Sequence, residues 1–206
     1  MKFVYWVGYT FFRAAGKAFF NRRVINEHKL VEGEEGVLMC ANHESFLDPP
    51  LIGIVHPINV TYLARKTLFV GLGKWIYTKW DAIPIDQDNP DMTGLKNIIK
   101  ALKNGNKVVM FPEGERTLHG DLNPGLPGVG LIVAKAQATV QPMRIFGAYE
   151  ALPRGSGKMK CNQIDVVVGD PIRFTKEEFK QFKGKDGYQK LSDLIMQKIS
   201  ELTPEG

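Results

Sequence analysis

The chain has 206 residues, of which 44% are apolar and 24% charged, a balance that supports one sizeable buried core and excludes general disorder. Its net charge of +5 and isoelectric point near 9.1 favour anionic partners such as phosphate-bearing substrates or acidic lipid headgroups. The basic residues are scattered and no nucleic-acid-binding motif accompanies them, so nucleic acid is not an expected partner. The two cysteines, Cys40 and Cys161, fall in stretches that read as apolar strands and have neither disulfide nor zinc-site spacing, which makes a reducing compartment the default.

Residues 3–12 are apolar or aromatic except for Thr10, and Arg13 ends the run well short of a membrane-spanning length. On a helical wheel Lys2, Trp6, Tyr9, Arg13 and Lys17 share one side, with Val4, Val7, Phe11, Ala15 and Phe19 on another. This pattern predicts a basic amphipathic helix docking on an anionic membrane surface. Two alternatives stand beside it: a helix packed on the domain core, and a signal peptide, disfavoured because Arg13 and Lys17 crowd the position of a cleavage site. Residues 1–30 are therefore read as a membrane-docking segment and 31–206 as one domain.

After the polar stretch 21–35, strand-like segments at 36–41, 58–63, 82–85, 107–111, 139–145 and 164–168 alternate with helix-like patterns at 49–55, 68–80, 93–103 and 129–137. That order predicts an α/β fold, a single domain with a mostly parallel central sheet and flanking helices. Thr175 with Glu178 three residues later forms a capping-box pattern, and Leu191, Leu194, Ile195 and Ile199 give the last helix an apolar face.

Two segments that follow predicted strands carry chemistry, as expected at strand ends of an α/β sheet. The first is Asn42-His43-Glu44-Ser45-Phe46-Leu47-Asp48-Pro49. With Pro49 opening a helix, Asp48 reads as its N-cap and His43 lies in the preceding turn, where the two side chains can meet. A neutral imidazole can accept a proton from an alcohol, and a carboxylate on its other nitrogen fixes the tautomer and stabilises the imidazolium. The plainer reading has Asp48 capping a helix and His43 bonded to a loop carbonyl. The second segment is Phe111-Pro112-Glu113-Gly114-Glu115-Arg116, whose guanidinium has the planar fork of donors that suits phosphate oxygens.

Together these segments resemble the glycerolipid acyltransferase family, whose best-known members are the 1-acylglycerol-3-phosphate acyltransferases. Asn42, His43, Ser45 and Asp48 match its NHxSxxD block, and Phe111, Pro112, Glu113, Gly114 and Arg116 its FPEGxR block, with weaker correspondence at residues 82–86 and 140–143. The resemblance implies that His43 and Asp48 are catalytic and that Glu113, Gly114 and Arg116 bind the acceptor. It further implies transfer of a fatty-acyl group from acyl-CoA or acyl carrier protein to the free hydroxyl of 1-acylglycerol 3-phosphate (lysophosphatidic acid), giving phosphatidic acid without an acyl-enzyme. Glycerol 3-phosphate or another lysolipid is the alternative acceptor, and an inactive membrane-peripheral lipid-binding protein the alternative class. The expected place of action is the cytoplasmic side of a membrane, as a peripheral protein.

Two positions depart from the family pattern. Asp86-Gln87 stands where the second block usually ends in Arg, and Leu126-Pro127 where a basic residue often precedes Gly128. Arg65 and Lys66 are candidates to replace the missing phosphate contact. Ser45 has no glycine-flanked elbow around it and is expected to orient rather than attack. No metal site is expected, since His56 and His119 lack ligand spacing with Cys or acidic partners. No cofactor is expected beyond the acyl-donor substrate.

Overall fold

The computed structural model describes residues 3–86 and 92–205. Its elements in chain order are α1 (Phe3–Phe20), β1 (Arg23–Ile25), β2 (Val37–Ala41), α2 (Asp48–Gly53), β3 (Val60–Thr61), β4 (Leu63–Arg65), α3 (Gly71–Lys79), β5 (Ile83–Ile85), α4 (Met92–Lys103), β6 (Lys107–Met110), α5 (Pro127–Ala136), β7 (Thr139–Phe146), α6 (Ala148–Ala151), β8 (Asp165–Val168), α7 (Lys176–Gln181) and α8 (Gly184–Ser200). Six strands form the central sheet in the order β1-β8-β7-β2-β6-β3, parallel throughout except between β7 and β8. The α/β architecture with a mostly parallel sheet is as the sequence predicts.

The continuous apolar run of β2 makes physical sense in this setting, because a central parallel strand is covered on both faces. Val37, Met39 and Ala41 face a core layer shared with Val109, Met143, Ile145 and the helices α1 and α2. Leu38 and Cys40 face a second layer built with Val108, Val140 and the apolar sides of α4, α5 and α8. Leu191, Ile195 and Ile199 close that layer, with Leu194 only partly buried. Thr175 and Glu178 form the capping box of α7.

Several elements differ from expectation. The segment 58–63 is two strands in different sheets: β3 pairs with β6, whereas β4 pairs with β5 in a separate two-stranded sheet. Tyr62 sits at the break, its hydroxyl 3.3 Å from that of Tyr5 on α1. The polar stretch 21–35 contains β1, which is held beside β8 by a two-point pairing of Arg23 with Asp165 at 2.8 and 2.6 Å. The helix expected over 68–80 is α3, preceded by a 3-10 turn at Lys66–Leu68, and the left-handed φ of 51° at Gly71 separates the two. Cys161 lies in an exposed loop, not a strand.

Helix α1 packs one stripe on the domain and leaves another exposed. Tyr5, Gly16 and Phe20 are buried against the domain, a stripe the sequence pattern did not single out. Phe3, Trp6, Val7, Phe11 and Phe19 stay exposed. Lys2, counted on the basic side, lies outside the described residues. No helix among the described residues is long and apolar enough to cross a membrane.

Candidate active site

Sheet register brings the two chemistry-bearing segments together. β2 and β6 are parallel neighbours with Cys40 opposite Met110, so Asn42 and Phe111 leave the same edge of the sheet. The segments are then joined through the backbone of His43: its N–H donates to Glu113 Oε1 at 2.7 Å and its carbonyl accepts the Thr117 N–H at 2.8 Å. Glu113 Oε2 also accepts the Asn123 N–H at 2.8 Å. Glu113 is therefore buried with both oxygens occupied, and burial raises its pKa against those donors. It is placed behind the site, joining the loops, and does not line the chamber described below.

Asn42 fastens the first segment to β7, accepting the Ile145 N–H at 2.7 Å and donating to the Ile145 carbonyl at 3.0 Å. Ser45 is wholly buried; its hydroxyl donates to the Leu152 carbonyl at 2.9 Å and accepts the Leu47 N–H at 3.3 Å. It shapes the turn and does not reach the chamber.

His43 Nδ1 lies 2.8 Å from Asp48 Oδ2, and the imidazole stacks on Phe111 with ring centroids 4.0 Å apart and 14° between planes. The same Asp48 oxygen accepts the N–H groups of Glu44 at 2.6 Å and Ser45 at 2.7 Å. This corrects the expected N-cap: Leu47 occupies the cap position and Asp48 is the first residue of α2, with its carboxylate turned back to bind the loop that carries His43. Burial raises the Asp48 pKa, while His43 and the two N–H groups oppose the rise. With Nδ1 paired, Nε2 is the ring nitrogen left for a substrate.

His43 lines a cavity of about 800 Å³. Much of its wall is apolar or aromatic, including Tyr9 and Phe12 from α1 and Leu63, Leu68, Tyr77 and Trp80 from the segment 63–80. Gly114, Arg116 and Arg65 also line it, as expected, but Lys66 is exposed away from it. Gly114 has a left-handed φ of 76°, and an added Cβ would stand 2.5 Å from Leu126 Cδ1, so both backbone and space require glycine. Gln87, the departure in the second block, lies outside the described residues.

Three features of the site were not singled out in the sequence. Phe46, 69% exposed, lies beneath the Arg116 guanidinium at 3.5 Å, a cation–π arrangement that holds the arginine fork in place. Arg154 lines the same cavity and bonds both Glu115 Oε2 and the Arg116 carbonyl at 2.9 Å. Burial, then the charge of Arg154, lowers the Arg116 pKa, with Asp48 opposing and Arg65 adding to the effect. Arg116 Nη1 is buried without a hydrogen-bond partner, so the site holds a donor directed at no protein atom. Third, Glu44 is buried between the Asn42 amide and the Tyr149 N–H, and burial followed by repulsion from Asp48 pushes its pKa up to about 8. The only sequence signal for Arg154 was its place in the Gly- and Pro-rich loop at 153–157. Among the described residues no group of His, Cys, Asp and Glu could hold a metal ion.

The family described as Acyltransferase matches residues 11–146, a span that includes both chemistry-bearing segments and Arg65. The chain belongs to the acyltransferase family. It is 28% identical over 184 residues to a protein of Bacillus subtilis named 1-acyl-sn-glycerol-3-phosphate acyltransferase, covering 87% of each chain. A Helicobacter pylori protein of the same name is 31% identical over 146 residues, covering 66% of this chain and 60% of the relative. The fold is also that of the 1-acyl-sn-glycerophosphate acyltransferase PlsC from Thermotoga maritima, with a TM-score of 0.78 at 21% identity over 97% of this chain and 80% of that one. The resemblance drawn from the two sequence blocks is thus borne out for family and fold.

Proposed function

We propose that the protein transfers a fatty-acyl group from an acyl thioester, acyl-CoA or acyl carrier protein, to the free hydroxyl of 1-acylglycerol 3-phosphate, giving phosphatidic acid. The observation that carries this reading is the His43–Asp48 pair on the wall of a chamber that is aromatic on one part and arginine-lined on another. The relatives' printed names support the same acceptor.

In the reaction, His43 Nε2 accepts the proton of the acceptor hydroxyl as its oxygen attacks the thioester carbonyl carbon. Asp48 holds the imidazole in the required tautomer and offsets the charge it gains. The tetrahedral oxyanion collapses, the C–S bond breaks, and the departing thiolate takes the proton back from the imidazolium. No acyl-enzyme forms, and the buried Ser45 has no part in bond making. Arg116, which lines the chamber with its plane fixed on Phe46, supplies the acceptor phosphate with donors, while Arg65 and Arg154 add positive charge. The aromatic wall takes the acyl chains. The protein works as a peripheral protein on the cytoplasmic face of an anionic membrane, held there by the exposed face of α1.

The test is purified protein with labelled acyl-CoA or acyl carrier protein and a panel of 1-acylglycerol 3-phosphate, glycerol 3-phosphate and an uncharged lysolipid. Labelled phosphatidic acid from the first acceptor is the expected product. Release of free fatty acid alone would make the protein a thioester hydrolase, and equal use of the uncharged lysolipid would remove the phosphate assignment.

A further inference from the structure

Helix α3 buries none of its nine residues. A helix this short is not stable by itself in water, and helices of its length normally persist by packing an apolar face. Here only the Ile76 and Tyr77 side chains turn partly inward, while three large apolar side chains point outward: Val70 just before the helix is 69% exposed, Leu72 74% and Trp75 53%. Large apolar side chains left exposed together on one short segment mark a surface that meets another phase or molecule.

Charge complementarity identifies what it meets. From Pro49 to Trp80 the sequence contains no Asp or Glu, but it carries Arg65, Lys66, Lys74 and Lys79. From Phe3 to Asn26 it again contains no acid; Arg13 and Lys17 lie on α1, whereas Arg22 is half-buried and Arg23 is paired with Asp165. These two acid-free segments pack together: Trp80, at the end of α3, meets Phe12 of α1 edge-on at 5.8 Å and closes over Gly8, where an added Cβ would be 2.6 Å from its ring. Outward from that seam α1 exposes Trp6, Val7 and Phe11. Inward, both segments line the chamber, α1 through Tyr9 and Phe12 and α3 through Tyr77 and Trp80.

We infer that α3 is a second membrane-contacting element, which sets Val70, Leu72 and Trp75 into the headgroup and acyl boundary of an anionic bilayer beside the exposed face of α1. Tryptophan suits that depth, and Lys74 and Lys79 reach the phosphates around it. The chamber wall shared by the two helices then stands against the layer from which lipid substrates enter. This surface rests on the reading of α1 as a membrane-docking helix and of the substrates as lipids.

The test compares the parent with the Leu72→Ser, Trp75→Ser double variant, neither position lining the chamber. Binding is measured by co-sedimentation with phosphatidylcholine vesicles with and without phosphatidylglycerol, activity on detergent-dispersed 1-acylglycerol 3-phosphate, and mass by analytical ultracentrifugation. The double variant is expected to lose roughly tenfold or more in partition onto the anionic vesicles, with melting temperature and detergent activity little changed. A dye at Leu72→Cys, in a Cys161→Ser background since Cys40 is buried, should shift to the blue on the same vesicles. Unchanged partition and no dye shift overturn the inference. So does a parent dimer that the double variant dissociates while vesicle binding persists, which would make the face a subunit contact. Loss of partition in the variant of a protein that forms no phosphatidic acid would leave the surface standing and refute the proposed function instead.

Discussion

The loop cluster around His43 and the α1–α3 wall of the same chamber are built in opposite ways. In the first, Asn42, Glu44, Ser45, Asp48 and Glu113 are all buried, and each bonds to another segment or turns the loop on itself. In the second, α3 has no fully buried residue and α1 leaves five large apolar side chains exposed. The difference separates two requirements. Proton transfer needs a base fixed to within fractions of an ångström, so its support is over-determined. Lipid handling needs an apolar wall whose outer face remains available, and it cannot be satisfied within the chain itself.

The largest way to break this contrast is at its rigid end. Asp48→Asn should lower turnover roughly a hundredfold to ten-thousandfold, because an amide leaves the imidazole free to take the wrong tautomer and offers no charge to the imidazolium. Steady-state kinetics on detergent-dispersed substrate checks this, and a loss of less than about tenfold would deny Asp48 its role.

Arg116→Ala comes next. Removing a charge-assisted donor worth about 1.5–3 kcal/mol should raise KM for 1-acylglycerol 3-phosphate by roughly tenfold or more, with a smaller fall in kcat. An uncharged lysolipid should show no comparable change. Arg154→Gln, at an exposed position already paired with Glu115, should raise the same KM by only about twofold to fivefold, and added salt should shrink the difference.

The effect of least consequence for turnover concerns Glu44, and it is one on stability. Its carboxyl titrates near 8 in the folded chain, against roughly 4.3 when unfolded. Between those values the folded chain keeps a proton that the unfolded chain has released, so stability declines as pH rises through the window and that contribution is gone above about 8. Glu44→Gln should flatten this decline, which urea denaturation at several pH values across the window would reveal. A parallel decline in the variant would assign the pH dependence to other groups.

How far the sequence discloses each region follows from the reach of its interactions. The His43–Asp48 pair was legible because one turn forms it, and the two blocks mark that turn and its partner loop. The role of Asp48 as anchor of the loop rather than cap of α2 was not, since both readings place the same residue beside the same proline. Arg154 joins Arg116 across 38 positions, and no local pattern announces a contact of that range. The splitting of 58–63 between two sheets and the short β1 depend on pairing partners more than a strand length away. The apolar face of α1 was visible as periodicity, but the stripe at Tyr5, Gly16 and Phe20 required knowledge of what it packs against.

The central claim, that His43 is the base for direct acyl transfer, is tested most directly by purified His43→Ala and parent protein, free of host acyltransferase. Each is given labelled acyl thioester and 1-acylglycerol 3-phosphate, and phosphatidic acid is quantified by mass spectrometry. The account predicts a loss of roughly a hundredfold to ten-thousandfold with the melting temperature and acceptor binding of the parent largely kept. Turnover near that of the parent would contradict it.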